Sequence, residues 1–417
     1  MSSSGGRYPL SWQQAGIGRW MELGERITNV GTLFELPDEM TTDQVRDRLC
    51  ELVRRDDVLR VTELSFADGG YATYSDAVDL PFSIQRAGSP EEVREITSQM
   101  SFRTFELGEG RPLWEAAVIS HPGPSGRPTR SMCASFAHLI SDARSLLVFR
   151  DGLTGAADLA PRPFRDWVTI QREMFPMTAN GTQTAAGEFW RRYLDGTPPD
   201  RGTVLPFWRP GQLSGTSFLI HTELPVTKAM LRAGAGQRRS SPFLLFLAAV
   251  TAAIGDAASV NDITYRVNIN GRIPDFIDTL GLFSDIGPVR VNGSSLSDPA
   301  AALEAATSGW LESLEFQTTP WEYVLEVCPP AAPPATGYPA PQVLLNFIPE
   351  DVGEIPPDCA EEGPFPGDVE AFQLAAILRD EGNCLLDCEF DPERFPKAGV
   401  YDFLGALGET LTHLVTR

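Results

Sequence analysis

Lysine is nearly missing from this chain: Lys228 and Lys397 are the only two in 417 residues. Chemistry built on a lysine Schiff base or amine nucleophile therefore has few candidates. Histidine is scarce, with four residues, and the six cysteines come without an export signal, which points to reduced thiols in a cytoplasmic protein. The N-terminus, Met1 to Gly6, is polar and has no apolar core of a signal peptide. The best apolar run, Phe243 to Ile254, is interrupted by Thr251 and is too short to span a bilayer, so no membrane is expected. Positive charge is also short: 34 Lys and Arg stand against 56 Asp and Glu, a net charge of −22. That balance argues against nucleic acid as a partner. No phosphate loop, GxSxG elbow or dinucleotide fingerprint occurs. No metal is expected either. Cys384 and Cys388 alternate as core positions of a strand, and His121, His221 and His413 lack ligand-spaced partners.

What is present is an ordinary globular composition, 42% hydrophobic and 22% charged, in a chain long enough for two or three domains or one large pseudo-duplicated unit. Charge is distributed unevenly: residues 1–150 carry −5, residues 151–270 carry +2 and residues 271–417 carry −19. An acidic partner should meet the first two-thirds and avoid the last third. Residues 41–55 have the pattern of an amphipathic helix, with Thr41 and Gln44 at capping-box spacing and Val45, Leu49, Leu52 and Val53 on one stripe. Phe243 to Ile254 reads as a buried helix capped by Ser240 or Ser241, with Pro242 in its first turn. Residues 113–120 and 131–138 read as strands of a hairpin. Helices are expected at 143–151, with Gly152 near the C-terminal cap, at 186–195 and at 403–415. Loops are expected at Gly196 to Thr216, Pro329 to Pro341 and Ile355 to Asp368. Helices and strands mix throughout, so the class is α/β or α+β.

The stretch SFAHLISDARS, residues 135–145, carries the chemistry. If the strand runs through it, Met132, Ala134, Phe136 and His138 share a face, and His138 sits at the strand end where it can enter a cleft. Asp142 follows beyond a turn. An imidazole can act as a general base near neutral pH while a nearby carboxylate holds the local geometry. Taken alone, HxxxD is better read as a core histidine beside a helix-capping aspartate.

The surrounding segments add to this. In chain order they are LSWQQ (10–14), RRDDVLR (54–60), FELGEGRPLWEAAV (105–118), AHLISDA (137–143), EFWRRYL (188–194), SPFLLFLAAV followed by VNINGR (267–272), GLFSDIGPVRV (281–291) and VLLNF (343–347). This series resembles the motifs of the condensation domains of nonribosomal peptide synthetases, within the chloramphenicol-acetyltransferase-like superfamily. The resemblance implies two lobes of similar fold arranged as a V, about residues 1–165 and 166–417, with a tunnel between them. It implies that His138, the second histidine position of the family's HHxxxDG signature, deprotonates or orients the nucleophile. It implies that Asp142 supports the loop by pairing with an arginine of the second lobe, Arg272 first and Arg290 as the runner-up, and that Ala137, Ser284 and Asn346 lie along the substrate channel. The implied activity is that of a free-standing, cytoplasmic, monomeric acyltransferase. It would join an acyl or aminoacyl thioester, delivered by the phosphopantetheine arm of an acyl or peptidyl carrier protein or by coenzyme A, to a small-molecule amine or hydroxyl acceptor. No cofactor bound by the chain itself is implied.

The signature departs from the family at Ala137, where the first histidine is lost, at Ala143, where glycine is usual, and at Asp285, where FSDI stands for FVNT. These departures keep two alternatives open: a degenerate platform that recruits partner enzymes to a carrier protein, and an unusual reaction such as cyclisation in the same tunnel. Arg54 and Arg55, and Arg191 and Arg192, are the candidate carrier contacts, though Arg54 and Arg55 also suit a helix C-terminus.

Overall fold

The computed structural model describes residues 6–22, 29–123, 127–176, 184–197, 205–209, 214–329, 343–349, 363–366 and 371–416. The predicted loop Pro329 to Pro341 lies outside these residues but for Pro329, as do Met1 to Gly5 and much of Gly196 to Thr216.

The first third of the chain builds two small sheets and their helices. Its elements are β1 (Gly6–Pro9), α1 (Trp12–Glu22), β2 (Val30–Glu35), α2 (Thr42–Arg55), β3 (Val61–Ser65), β4 (Tyr71–Tyr74), β5 (Phe82–Arg86), α3 (Pro90–Ser101), β6 (Trp114–Pro122), β7 (Pro128–Phe136) and α4 (Ala143–Thr154). One sheet has the order β1-β4-β3 and the other β2-β7-β6-β5. The capping box is in place: Thr41 Oγ1 accepts from Gln44 N and Gln44 Oε1 accepts from Thr41 N. Val45, Leu49, Leu52 and Val53 are the buried stripe of α2, as the spacing predicts. The helix after the signature runs three residues past the predicted end. Gly152 lies inside α4, and Gly155, in left-handed conformation, closes it.

The chain then crosses through α5 (Phe164–Met174) and α6 (Ala185–Tyr193). Asp57, from the RRDDVLR segment, satisfies the start of α5 by accepting from Phe164 N (2.7 Å) and Arg165 N (3.3 Å). The remainder forms β8 (Thr216–Thr227), α7 (Lys228–Gln237), α8 (Pro242–Ala258), β9 (Asp262–Ile269), β10 (Asp285–Asn292), α9 (Pro299–Ser313), α10 (Trp321–Val327), β11 (Val343–Ile348), β12 (Gly363–Pro366), β13 (Phe372–Ile377), β14 (Asn383–Phe390) and α11 (Lys397–Thr416). Seven strands join in one mixed sheet, β10-β9-β11-β13-β14-β8-β12.

α8 begins at Ser241, whose hydroxyl accepts from Leu244 N, and Pro242 stands in its first turn. Its apolar residues are buried on all sides because it lies between the sheet, α9 and α11. Among the described residues no single helix is long and apolar enough to cross a membrane. Cys384 and Cys388 are both buried in β14 beside Leu386 and Phe390, as alternation requires. Two expectations are corrected. α11 starts at Lys397, six residues before the predicted start, and Val400 in its first turn already belongs to the buried stripe of Phe403, Leu404 and Leu407. Gly363–Pro366, placed in a loop by its composition, pairs antiparallel with β8.

Candidate active site

β7 does not run through His138. The strand ends at Phe136, where Ala137 N donates to Leu113 O (2.8 Å), and residues His138–Ile140 form a 3-10 turn closed by Ile140 N to Ala137 O (2.9 Å). The shared face predicted for His138 with Met132, Ala134 and Phe136 is therefore not formed. Those three residues and Ala137 belong to one buried core with Phe149, Trp167 and Phe283, and Ala137 is only 6% exposed, while the turn lifts His138 out to a half-buried position. His138 Nδ1 lies 2.9 Å from Ser141 O. A carbonyl can only accept, so Nδ1 is protonated, and in the neutral ring Nε2 is then a lone-pair acceptor. That is the tautomer a general base needs.

Asp142 has two roles at once. It is the N-cap of α4, its Oδ1 accepting from Ser145 N (2.9 Å), and it is the buried half of an ion pair. Arg272 reaches it from just past the end of β9 with a two-pronged contact, Nη1 to Oδ2 and Nη2 to Oδ1, both 2.8 Å. The side chains of the pair are 0% and 1% exposed. Phe283 N (2.9 Å) and Ser284 N (3.1 Å) also donate to Oδ2. Burial alone would raise this carboxyl, but the Arg272 charge and these hydrogen bonds outweigh it and hold Asp142 below its ordinary value. Ser145 Oγ accepts from Arg272 Nη2 (2.8 Å) and Gly281 N (3.0 Å). The guanidinium also lies over the Phe283 ring, 4.2 Å from its centroid. Gly271, at φ +66°, aims Arg272 into the contact, and a Cβ there would collide with the Phe283 carbonyl oxygen.

Arg290, the other arginine open from sequence, is occupied elsewhere: it binds Asp262 through Nε (2.9 Å) and Nη2 (2.6 Å) on neighbouring strands. Ala143 is the first residue of α4 in ordinary helical conformation, so the missing glycine creates no backbone strain there. Ser284 is half-buried beside Asp142. Asn346 lies apart from this cluster, half-buried on β11 on the sheet face opposite Val343 and Leu345.

Several contributors were invisible in the sequence except as motif letters. In LSWQQ, Ser11 and Gln14 cap each other, Ser11 N to Gln14 Oε1 (2.9 Å) and Gln14 N to Ser11 Oγ (3.1 Å). The S-x-x-Q spacing of a capping box was the available signal. Gln14 Nε2 then donates to Leu139 O (2.9 Å), supporting the His138 turn from below. Gln13 Nε2 donates to Asp285 Oδ2 (3.0 Å) at the start of β10. His221 does have a partner, Asp387, with Nδ1 and Oδ1 2.5 Å apart across β8 and β14, a neighbour that local spacing could not reveal.

Burial, with the Glu322 charge adding to it, pushes Asp285 up to about 7, from an ordinary 3.8. Between these values the folded chain holds a proton that the unfolded chain has released, so this group's contribution to stability is present at low pH and is lost as pH rises through about 7. The melting-temperature difference between parent and Asp285→Asn should therefore move against the parent as pH is raised from about 4 to about 8. A difference that stays flat across that range would show that Asp285 binds no such proton.

No family model matches the chain. The phosphinothricin tripeptide synthetase PhsC of Streptomyces viridochromogenes is 26% identical over 418 residues, covering 90% of this chain and 36% of that protein. The chain thus spans little more than a third of this relative, and less of the other curated relatives it matches. The condensation domain of the monacolin K polyketide synthase MokA superposes with a TM-score of 0.77 at 15% identity, covering 99% of this chain and 98% of that one. The X-domain in complex with OxyB from teicoplanin biosynthesis gives 0.72 at 18% identity, covering 100% and 94%. The chain accordingly has the two-lobed, chloramphenicol-acetyltransferase-like fold of condensation-type domains, and its sequence relatives are nonribosomal peptide synthetases.

Proposed function

We propose that the chain is an acyl-transferring condensation enzyme of natural-product biosynthesis in which His138 serves the nucleophile. The observation that carries this reading is the Nδ1 contact to Ser141 O, which leaves Nε2 as an acceptor on a half-exposed ring. The nitrogen or oxygen of a small-molecule acceptor attacks the thioester carbonyl while its proton passes to Nε2. The carbon–sulfur bond breaks, the thiolate takes the proton back from the imidazolium, and an amide or ester results. The donor arrives on the phosphopantetheine arm of an acyl or peptidyl carrier protein, or of coenzyme A. We take residues 1–165 and 166–417 as the lobes and assign Ser284 and Asn346, both partly open, to the substrate channel. Asp142 and Arg272 hold the two lobes together behind the turn and touch no reacting atom.

A second reading, a platform that recruits another protein to a carrier, is favoured by Ala137 and Ala143 in the signature and by the likeness to an X-domain solved with OxyB. The test is to supply the purified chain with a panel of acyl- and aminoacyl-loaded carrier proteins and amine or hydroxyl acceptors, and to read products by mass spectrometry. Product formation supports the enzyme. Carrier binding with no product from any pair supports the platform.

The carrier's docking face can be tested in the same assay. Carrier proteins are acidic in the family this chain resembles, and residues 271–417 carry −19. Arg54 and Arg55 at the end of α2, and Arg191 and Arg192 at the end of α6, are exposed. Reversal of either pair to glutamate should weaken carrier binding, and added salt should slow association. If neither reversal weakens binding and salt is without effect, the docking face is elsewhere or the donor is not carrier-bound.

A further inference from the structure

We infer that Asp285 is a positioning residue for His138, acting through Gln13 and Gln14 on α1; this rests on the role given to His138 above. α1 comes from the first lobe but is clamped on the second. Gln13 Nε2 donates to Asp285 Oδ2 (3.0 Å), Arg19 Nη1 pairs with Glu322 Oε2 (2.8 Å), and Trp12 packs edge-on against Tyr323. Asp285 Oδ2 also accepts from Trp321 N (3.3 Å), so the same oxygen caps α10, and Oδ1 accepts from Ile286 N (2.7 Å).

The direction of this chain of hydrogen bonds is forced from its far end. Trp12 N is a backbone donor, so it must meet the carbonyl oxygen of Gln171 (2.9 Å). Gln171 Nε2 must then face Gln13 Oε1 (2.8 Å), and Gln13 can offer position 285 only its amide protons. Position 285 therefore needs an acceptor toward Gln13 and Trp321 and a second acceptor toward Ile286. A carboxyl group supplies both, since even when it holds a proton its hydroxyl oxygen keeps a lone pair toward one of these donors. An amide turns a donor toward one of them whichever way it is flipped.

From the next residue of the same helix, Gln14 Nε2 donates to Leu139 O (2.9 Å), one residue beyond His138. On the other side, Ser284 N, adjacent to Asp285, donates to Asp142 (3.1 Å). Gln14, which holds the turn, thus lies one residue from an Asp285 contact, and Ser284, which holds Asp142, is the neighbour of Asp285 itself. Glu322 and Glu326 of α10, Arg19 of α1 and Arg172 of α5 are the charged groups grouped around this junction. Gln13, Gln14 and Gln171 are 7%, 0% and 0% exposed, so water does not readily replace a lost link.

The experiment reads the His138 ring directly. The chain has only four histidines, so His138 can be assigned in ring-nitrogen NMR spectra by comparison with His138→Ala. Asp285→Asn should shift the His138 ring signals and their pH titration and leave those of His121 and His413 in place. It should lower kcat by about 10- to 100-fold with KM little changed, the scale of a misplaced catalytic group. Adding Gln13→Glu to Asp285→Asn supplies an acceptor for the new amide and should restore both signals part of the way. If Asp285→Asn does not fold, Gln14→Leu, which cuts the link at Leu139 O, must move the His138 signals instead. His138 signals identical to the parent's in a folded variant overturn the inference, whatever the activity. Shifted signals in a parent that never forms product leave the positioning intact and remove the catalytic role of His138.

Discussion

Replacing His138 with alanine should lower turnover by about 10²- to 10⁴-fold, the range over which general-base catalysis acts, while the protein melts near the parent's temperature. The two halves of this expectation have separate structural grounds. For catalysis, Nδ1 is committed to Ser141 O, so the ring offers Nε2 in acceptor form without a proton having to move first. For stability, His138 is half-buried and among the described residues its ring makes one hydrogen bond, to Ser141 O, while the turn is held independently by Ile140 N to Ala137 O and Gln14 Nε2 to Leu139 O. Product formation by mass spectrometry and a thermal melt on the same preparation decide the matter. Unchanged turnover would falsify the base role.

Asp142→Ala should give the opposite pattern in stability, a loss of about 3–5 kcal/mol, the usual cost of breaking a buried ion pair from one side. The reason is what remains. The Arg272 side chain is fully buried, and without Asp142 its charge has no carboxylate, while Ser145 N, Phe283 N and Ser284 N lose their acceptor. Arg272→Ala should cost a comparable amount by stranding the carboxylate. Because Asp142 is held below its ordinary value, its contribution is present above the normal aspartate range, about 3.9, and is lost as pH falls through its folded value. Denaturant titrations of both variants measure this. An Asp142→Ala protein that is inactive yet as stable as the parent would mean that the aspartate belongs to the chemistry and not to the scaffold.

Much of the outline was legible locally. The capping box at Thr41 and Gln44, the stripe on α2, the buried α8 after Ser241 and Pro242, and the alternation of Cys384 and Cys388 all depend on neighbours within a few residues, and each appears as its spacing predicts. The errors have one source. Strand periodicity carried past Phe136 would keep His138 in the sheet, but the bond from Ala137 N to Leu113 O is the last of that pairing, and the following residues close into a turn. Gly152 looked like a helix end, yet packing of α4 on α2 carries the helix on to Gly155. His221 looked solitary because Asp387 is far along the chain and meets it only through strand register.

The sequence by itself determined which residues could do chemistry here. HxxxD alone reads more readily as a core histidine beside a helix-capping aspartate, and it was the ordered motifs, through their resemblance to condensation domains, that singled out His138, Asp142 and the fold. The resemblance put Arg272 ahead of Arg290, and only the tertiary structure gave each its partner: Arg272, after β9, meets Asp142, and Arg290, inside β10, meets Asp262. It alone set the tautomer of His138 and joined Asp285 to the turn through α1. Those facts depend on donors and acceptors from separate segments meeting in a water-excluded interior, where each must find a partner of the right polarity, and no local period encodes such a meeting.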